Sequence, residues 1–155
     1  MISNNLFLIS PDNWITDERT GKQYLVLDTD DLIHDDLQQV CHNYGGYLPE
    51  PRDEHDTTFL DNLGTGAFPL GMSDTVTEGL WVWDSDGSPV TWNRWVMVEP
   101  NGGRKENCLL VLRQILSGHS GHRTDGWADM PCESSDGIRG FDTSLICERK
   151  SGLST

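Results

Sequence analysis

The stretch from Trp92 to Cys108 carries the residue types in this chain that are best suited to bind a cation. It places Glu99 and Asn101 before a glycine-broken polar loop and Glu106 after it. Calcium takes about six to eight oxygen ligands from carboxylates, amides and backbone carbonyls. Pro100 fixes the backbone between the first two side chains, and an X-Pro bond is the one place where a cis peptide is readily tolerated in a tight turn. The loop therefore predicts a calcium site.

The same two glutamates have a catalytic interpretation. Glu99 and Glu106 could form the pair of carboxylates that a glycosidase uses. The Pro-Asn that follows Glu99 favours metal ligation instead. No serine or cysteine in the chain has a nucleophile motif around it. We therefore expect a binding protein and not an enzyme.

Length and charge limit the classes of protein to which this chain can belong. Its 155 residues predict one domain, 1–155, that is large enough for a real core. The net charge of −14 argues against nucleic acid and anionic membranes as partners. No apolar stretch of roughly twenty residues is present, so no membrane span is expected. Much of the acidic excess could be solvated surface, so only clustered acids bear on a site.

The cysteine pattern indicates an oxidising compartment. There are four cysteines, Cys41, Cys108, Cys132 and Cys147, which allow three pairings. None lies in a C-x-x-C motif, which argues against structural zinc and a redox dithiol. Two disulfides in a secreted, extracellular protein are favoured over four free thiols. Residues 1–10 lack a basic segment followed by a long apolar one, so a removed signal peptide and another export route both stay open.

The apolar spacing predicts strands first, then helices, then strands with long loops. Before the site loop it predicts a strand at Leu6–Ile9, a hairpin from Trp14 to Leu27 bending near Gly21, and helices at Asp30–Tyr44 and Asp53–Leu63. Short apolar segments follow at 68–72, 80–83 and 90–92, with a turn at 84–87, a buried strand at 108–112 and a final strand at 145–148. Arg113–Gly126 and Glu133–Thr143 are polar and glycine-rich and are predicted to be loops. This order is α+β.

The ordered set of motifs resembles the C-type lectin-like domain over roughly Tyr24 to Lys150. The motifs are the two helices with Cys41 in the first, Trp92-Asn93-x-Trp95, Glu99-Pro100-Asn101, Glu106-Asn107-Cys108, Gly126-Trp127-Ala128-Asp129 with Cys132, and Cys147-Glu148. The resemblance implies an α+β fold in which two helices pack on small antiparallel sheets beside a long calcium- and sugar-binding loop region. It also implies the disulfides Cys41–Cys147 and Cys108–Cys132.

The resemblance further implies a function for the loop. Ca²⁺ and the sugar would both be bound by Glu99, Asn101, Glu106 and Asp129. The order Glu-Pro-Asn goes with equatorial neighbouring hydroxyls, as in mannose, glucose, N-acetylglucosamine or fucose. The expected partner is thus a glycan or glycoconjugate, with oligomers as a route to avidity.

A second calcium site and one departure accompany this resemblance. The second site would use Asp74, Glu78 and Asn107 beside Glu106, although the first two could simply cap or decorate their loop. The family's usual Trp-Asn-Asp is here Trp127-Ala128-Asp129, which removes one calcium ligand and one donor to the sugar. The alternative is therefore a domain of this fold that binds a protein or another surface without calcium.

Tryptophans supply the other sugar-binding candidates. The resemblance implies that Trp92, Trp95 and Trp127 are core residues. Trp83 or Trp81 is the candidate for an exposed ring that could stack on a sugar face.

Overall fold

The computed structural model describes residues 7–9, 13–28, 34–63, 66–95, 99–112, 126–132 and 144–150. The elements in chain order are β1 (Phe7–Ile9), β2 (Ile15–Asp17), β3 (Lys22–Asp28), α1 (His34–Asn43), α2 (Glu54–Leu63), β4 (Phe68–Ser73), β5 (Val82–Trp83), a 3₁₀ turn (Gly103–Lys105), β6 (Cys108–Leu112), β7 (Gly126–Met130) and β8 (Ser144–Lys150). Two helices beside antiparallel sheets confirm the predicted α+β class. Neither helix, at ten residues each, nor any other helix in the described ranges has the length and apolarity to cross a membrane.

One sheet joins the beginning and the end of the described chain. Its strand order is β1-β2-β3-β8, and β3 pairs antiparallel with β8 from Lys22 opposite Lys150 to Asp28 opposite Ser144. The hairpin between β2 and β3 bends at Gly21, whose φ of 79° is readily adopted by glycine. The disulfide Cys41–Cys147 ties α1 to β8, as the resemblance implied.

The second sheet carries the residues of interest. Its strand order is β5-β4-β6-β7, and Leu109 of β6 lies opposite Asp129 of β7. The disulfide Cys108–Cys132 closes the end of this pair and confirms the second implied bridge. The register therefore places Asp129 next to the residues that follow the Glu99–Asn107 loop.

Two apolar clusters cover the two faces of this second sheet. Leu109 and Val111 join Trp127 in one cluster, whereas Leu110 and Met130 belong to the other. Successive side chains of a strand point to opposite faces, so β6 is apolar on both sides and lies inside the core. A strand held this way is a rigid support for a loop at its end.

The structure changes several predicted boundaries. Gly126 does not belong to a loop, because it begins β7 and pairs with Leu112. Strand β7 was missed because glycine, alanine and aspartate interrupt its apolar pattern. The segment 90–92 forms no strand within the described chain. Residues 113–125 and 133–143, which form the rest of the two predicted loops, lie outside the described residues, as does the predicted helix start at Asp30.

The expectation that Trp83 or Trp81 is exposed is wrong. Their side chains are only 8% and 2% exposed. Trp81 packs on Trp95 with ring centroids 5.1 Å apart, and Trp83 packs on Trp127 at 6.5 Å. The large apolar area of each ring outweighs the polar N–H and draws it into the core. Neither ring is available to stack on a sugar.

Candidate calcium site

Asp129 organises the loop that contains the predicted ligands. The backbone N–H of Asn101 donates to its Oδ1 at 3.1 Å, and that of Gly102 donates to its Oδ2 at 2.8 Å. The Asp129 side chain is only 6% exposed. A buried carboxylate of this kind is stabilised by backbone donors. Because Asp129 belongs to β7, its two hydrogen bonds attach the loop to that strand.

Glu99 lies against the same residue. The backbone N–H of Asp129 donates to Oε2 of Glu99 at 3.3 Å. Partial burial, together with the adjacent Asp129 carboxylate, raises the pKa of Glu99 to about 7. The peptide bond between Glu99 and Pro100 is cis. Glu99 and Asp129 are thus brought together in the structure.

Glu106 approaches from the other side of the loop. Burial and the charge of Asp129 raise the pKa of its carboxyl group. Its side chain folds across Gly102, where an added Cβ would collide with Glu106 side-chain atoms. Gly102 is therefore required by the position of Glu106, a role that the sequence did not suggest.

The donors fit calcium by their chemistry. Three carboxylates and the exposed Asn101 amide supply hard oxygen ligands. None of the three carboxylates has an ion-pair partner within the described part of the chain. Across the described ranges, however, no three acidic, histidine or cysteine side chains enclose a common centre. The donor set suits a cation, while the Asp129 oxygens face backbone N–H groups in this conformation.

The predicted second set also comes together. Asp74 is 3% exposed, its N–H donates to the carbonyl of Asn107 at 3.1 Å, and its Oδ2 accepts from Gly79 N–H at 2.9 Å. The pKa of the Glu78 carboxyl group is raised by partial desolvation and, after that, by its hydrogen bond to Asp74 and the charge of Asp74. Oδ1 of Asp74 and Oδ1 of Asn107 are buried, and neither has a hydrogen-bond partner among the described residues. Unpaired buried oxygens are costly, so these two are suited to a cation.

Sequence analysis missed an ion pair at Arg94, which precedes Glu99 in the chain. Arg94 binds Asp61 of α2 through two contacts, of 2.8 and 3.0 Å. The carbonyl of Arg94 also accepts from Trp127 N–H at 2.8 Å. Trp95 then packs on Trp127 with centroids 6.1 Å apart. No sequence signal marks this pair, because its members are 33 positions apart and belong to no motif.

Comparisons with known proteins identify the family of this chain. Residues 32–138 match the family described as the Lectin C-type domain. Human C-type lectin domain family 3 member A is 35% identical over 106 residues, which are 64% of this chain and 49% of that protein. The chain thus spans about half the length of this curated relative.

Two solved structures share the fold. The mouse scavenger receptor C-type lectin carbohydrate-recognition domain superposes with a TM-score of 0.69 at 21% identity, covering 94% of this chain and 100% of that one. A calcium-independent type II antifreeze protein superposes with a TM-score of 0.71 at 20% identity, covering 96% and 98%. These likenesses confirm the predicted fold of two helices and antiparallel sheets. One of these proteins is named for carbohydrate recognition and the other for independence of calcium.

Proposed function

Because the chain belongs to the C-type lectin domain family, we propose that it is a calcium-dependent carbohydrate-binding domain. The ion would be held by Glu99, Asn101, Glu106 and Asp129. Bound calcium would coordinate two neighbouring hydroxyl oxygens of a sugar. The observation that carries the proposal is the grouping of Glu99 and Glu106 around Asp129, with Oε2 of Glu99 3.3 Å from the Asp129 nitrogen.

The domains of this family are binding proteins, so the prediction that the chain is not an enzyme is confirmed. The glycosidase interpretation of Glu99 and Glu106 is therefore set aside. Their carboxylates are proposed to act as ligands and hydrogen-bond acceptors.

Electrostatics supports a cation at this place. The pKa of Glu99 is raised to about 7, first by burial and then by Asp129, which means that the ionised form is disfavoured. A divalent cation among the carboxylates would reverse that preference. The raised pKa of Glu99 therefore supports the proposal that an ion is bound here.

The proposed selectivity rests on the residue types at positions 99 and 101. A carboxylate at Glu99 accepts from a sugar hydroxyl, and an amide at Asn101 donates to its neighbour. Asn101 is exposed and Glu99 is half-buried, so solvent reaches both. We assign the site to equatorial vicinal hydroxyls, as in mannose, glucose, N-acetylglucosamine and fucose.

A second calcium ion is proposed at Asp74, Glu78 and Asn107. The unpaired buried oxygens of Asp74 and Asn107 support it. Asp74 is hydrogen-bonded to the backbone of Asn107, so an ion there would tie loop 74–80 to the sugar site.

Two observations favour the alternative, a domain that binds a protein or another surface without calcium. Both Asp129 carboxylate oxygens already accept backbone N–H groups, from Asn101 and Gly102. Ala128 also stands where the family has an amide ligand. In this alternative, backbone hydrogen bonds replace the ion in holding the loop.

Calorimetric titration of calcium into EDTA-stripped protein, with and without mannose, tests the proposal. Calcium should bind, and mannose should increase its affinity. The Glu99→Gln/Glu106→Gln variant should lose this heat, whereas the control Glu18→Gln/Glu54→Gln removes the same charge from exposed positions elsewhere and should keep it. Calcium binding without coupling to sugar would leave a structural ion. No binding would support the calcium-independent alternative.

We propose that the protein is extracellular because it has two disulfides. Such bonds persist in oxidising compartments and are rare in the cytosol.

A single weak sugar site binds with useful avidity when several copies act together, so we propose that the domain is presented in multiple copies.

A further inference from the structure

The loop at residues 75–80 exposes apolar side chains to solvent. Val76 is 89% exposed and Leu80 is 50% exposed. Within the described chain, the third large apolar residue exposed to this extent is Tyr44, which follows α1 and is 52% exposed. Two of these three side chains therefore lie on one six-residue loop.

This loop is fixed beside the proposed calcium site. Asp74 donates its N–H to the carbonyl of Asn107, the residue after Glu106, at 3.1 Å. The loop closes back on Asp74, whose Oδ2 accepts the N–H of Gly79 at 2.9 Å. Leu80 N–H donates to the carbonyl of Thr77 at 2.9 Å and forms a turn there. Val76 thus extends from a loop that is hydrogen-bonded to the ligand-bearing segment.

The size of this apolar surface limits what can cover it. The other residues of the loop are threonine, glutamate and glycine, and every residue from 75 to 80 is exposed. A stable protein interface buries about 800 Å² on each partner, far more than two side chains supply. A small apolar group on a ligand that is already held by its sugar fits this surface better.

We propose that Val76 and Leu80 form an apolar subsite for the alkyl or acyl aglycone of a glycoside whose sugar is bound at the calcium site. The preferred ligand is then an amphiphilic glycoconjugate rather than a free sugar. The inference rests on the proposed function, because calcium must first hold the sugar beside the loop.

The expected gain follows from burial of methylene groups. Each methylene that is fully removed from water increases affinity about fourfold. Burial against an open loop is partial, so a butyl chain should gain about tenfold over a methyl group.

The experiment measures the affinity of methyl, butyl and octyl α-mannosides in calcium, with octyl mannoside kept below its micelle concentration. In the wild-type protein affinity should rise about tenfold from methyl to butyl. The Val76→Ser/Leu80→Ser variant should bind methyl mannoside as before and lose the gain. The control, Tyr44→Ser, removes an apolar residue outside the loop that is about as exposed as Leu80, and it should keep the gain.

Equal affinity for the three mannosides in the wild type would overturn this inference and leave the proposed function standing. Persistence of the gain in Val76→Ser/Leu80→Ser would overturn it as well. A gain of the same size in EDTA would show that the apolar contact does not depend on the calcium-held sugar, which also contradicts it. Binding of none of the mannosides in calcium would overturn both proposals.

Discussion

The backbone N–H of Asp129 donates to Oε2 of Glu99 at 3.3 Å, although the two residues lie 30 positions apart in the chain. Strand pairing places the donor, and the acceptor directly precedes the segment whose backbone N–H groups donate to the Asp129 carboxylate. The contact also brings two carboxylates together, and with burial it raises the pKa of Glu99 to about 7. Protons and calcium would therefore compete for the same group.

Calcium affinity should fall as the solution is acidified. With a pKa of about 7, Glu99 is mostly ionised at about pH 8 and mostly protonated at about pH 6, so affinity should drop about tenfold between them. Titrations followed by calorimetry at three pH values measure the slope. In Glu99→Gln, affinity should be lower and its pH slope shallower. A wild-type affinity that does not change over this range would contradict the role of Glu99.

Buried Glu148 should make the calcium-free protein less stable as pH rises. Burial raises its pKa from the usual 4.5 to about 7, against the opposing influence of Lys22. The folded state therefore keeps a proton that the unfolded state has lost, and this stabilisation is present below about pH 4.5 and disappears through about pH 7. The melting temperature should fall by roughly 5 °C or more over this window.

Glu148→Gln should flatten that dependence, as measured by thermal unfolding in EDTA at about pH 4.5 and pH 7.5. Glu99 and Glu106 contribute with the same sign, so Glu99→Gln and Glu106→Gln measured alongside separate their contributions from that of Glu148. An unchanged slope in Glu148→Gln would show that Glu148 is not the group responsible.

The two disulfides should stabilise the fold unequally. Cys41–Cys147 closes a separation of 106 residues and Cys108–Cys132 one of 24. In the chain-entropy model these are worth about 5 and about 3.5 kcal/mol. Denaturant unfolding of the two paired Cys→Ala variants gives the comparison. A larger loss from the shorter bridge would show that native packing outweighs the entropy of the unfolded chain.

Replacing Ala128 with asparagine should tighten sugar binding. The amide restores one calcium ligand and one donor beside Asp129, and a hydrogen bond contributes about 1 kcal/mol, or about fivefold in affinity. Ala128→Ser serves as a control of smaller size without the amide. Unchanged or weaker mannose binding by calorimetry would show that the site departs from the family's geometry.

Interchanging the acid and the amide groups on the two sides of Pro100 should alter selectivity. In Glu99→Gln/Asn101→Asp the donor and acceptor swap places, so preference should move from mannose toward galactose. A glycan panel probed in calcium measures the ratio of the two sugars. A ratio that stays at its wild-type value would contradict the assignment of selectivity to these positions.

The periodic elements were predictable because their signal is local. Helix α2 was expected at Asp53–Leu63 and spans Glu54–Leu63, and strand β6 has its expected bounds. Strand β7 was not predicted, because Gly126 and Asp129 weaken its pattern and its stability comes from pairing with β6. The exposure of Trp81 and Trp83 was also misjudged, since a ring's burial depends on partners distant in the chain.

The sequence alone determined the chemistry of the ligand set, because residue types decide which atoms can bind a cation. It also determined the family and, through it, the two cysteine pairs. Only the tertiary structure decided that Asp129 holds the loop by accepting two of its backbone N–H groups and that Arg94 is paired with Asp61. It also revealed the exposed Val76 beside the site. These features depend on long-range register and packing, which no local pattern in the chain encodes.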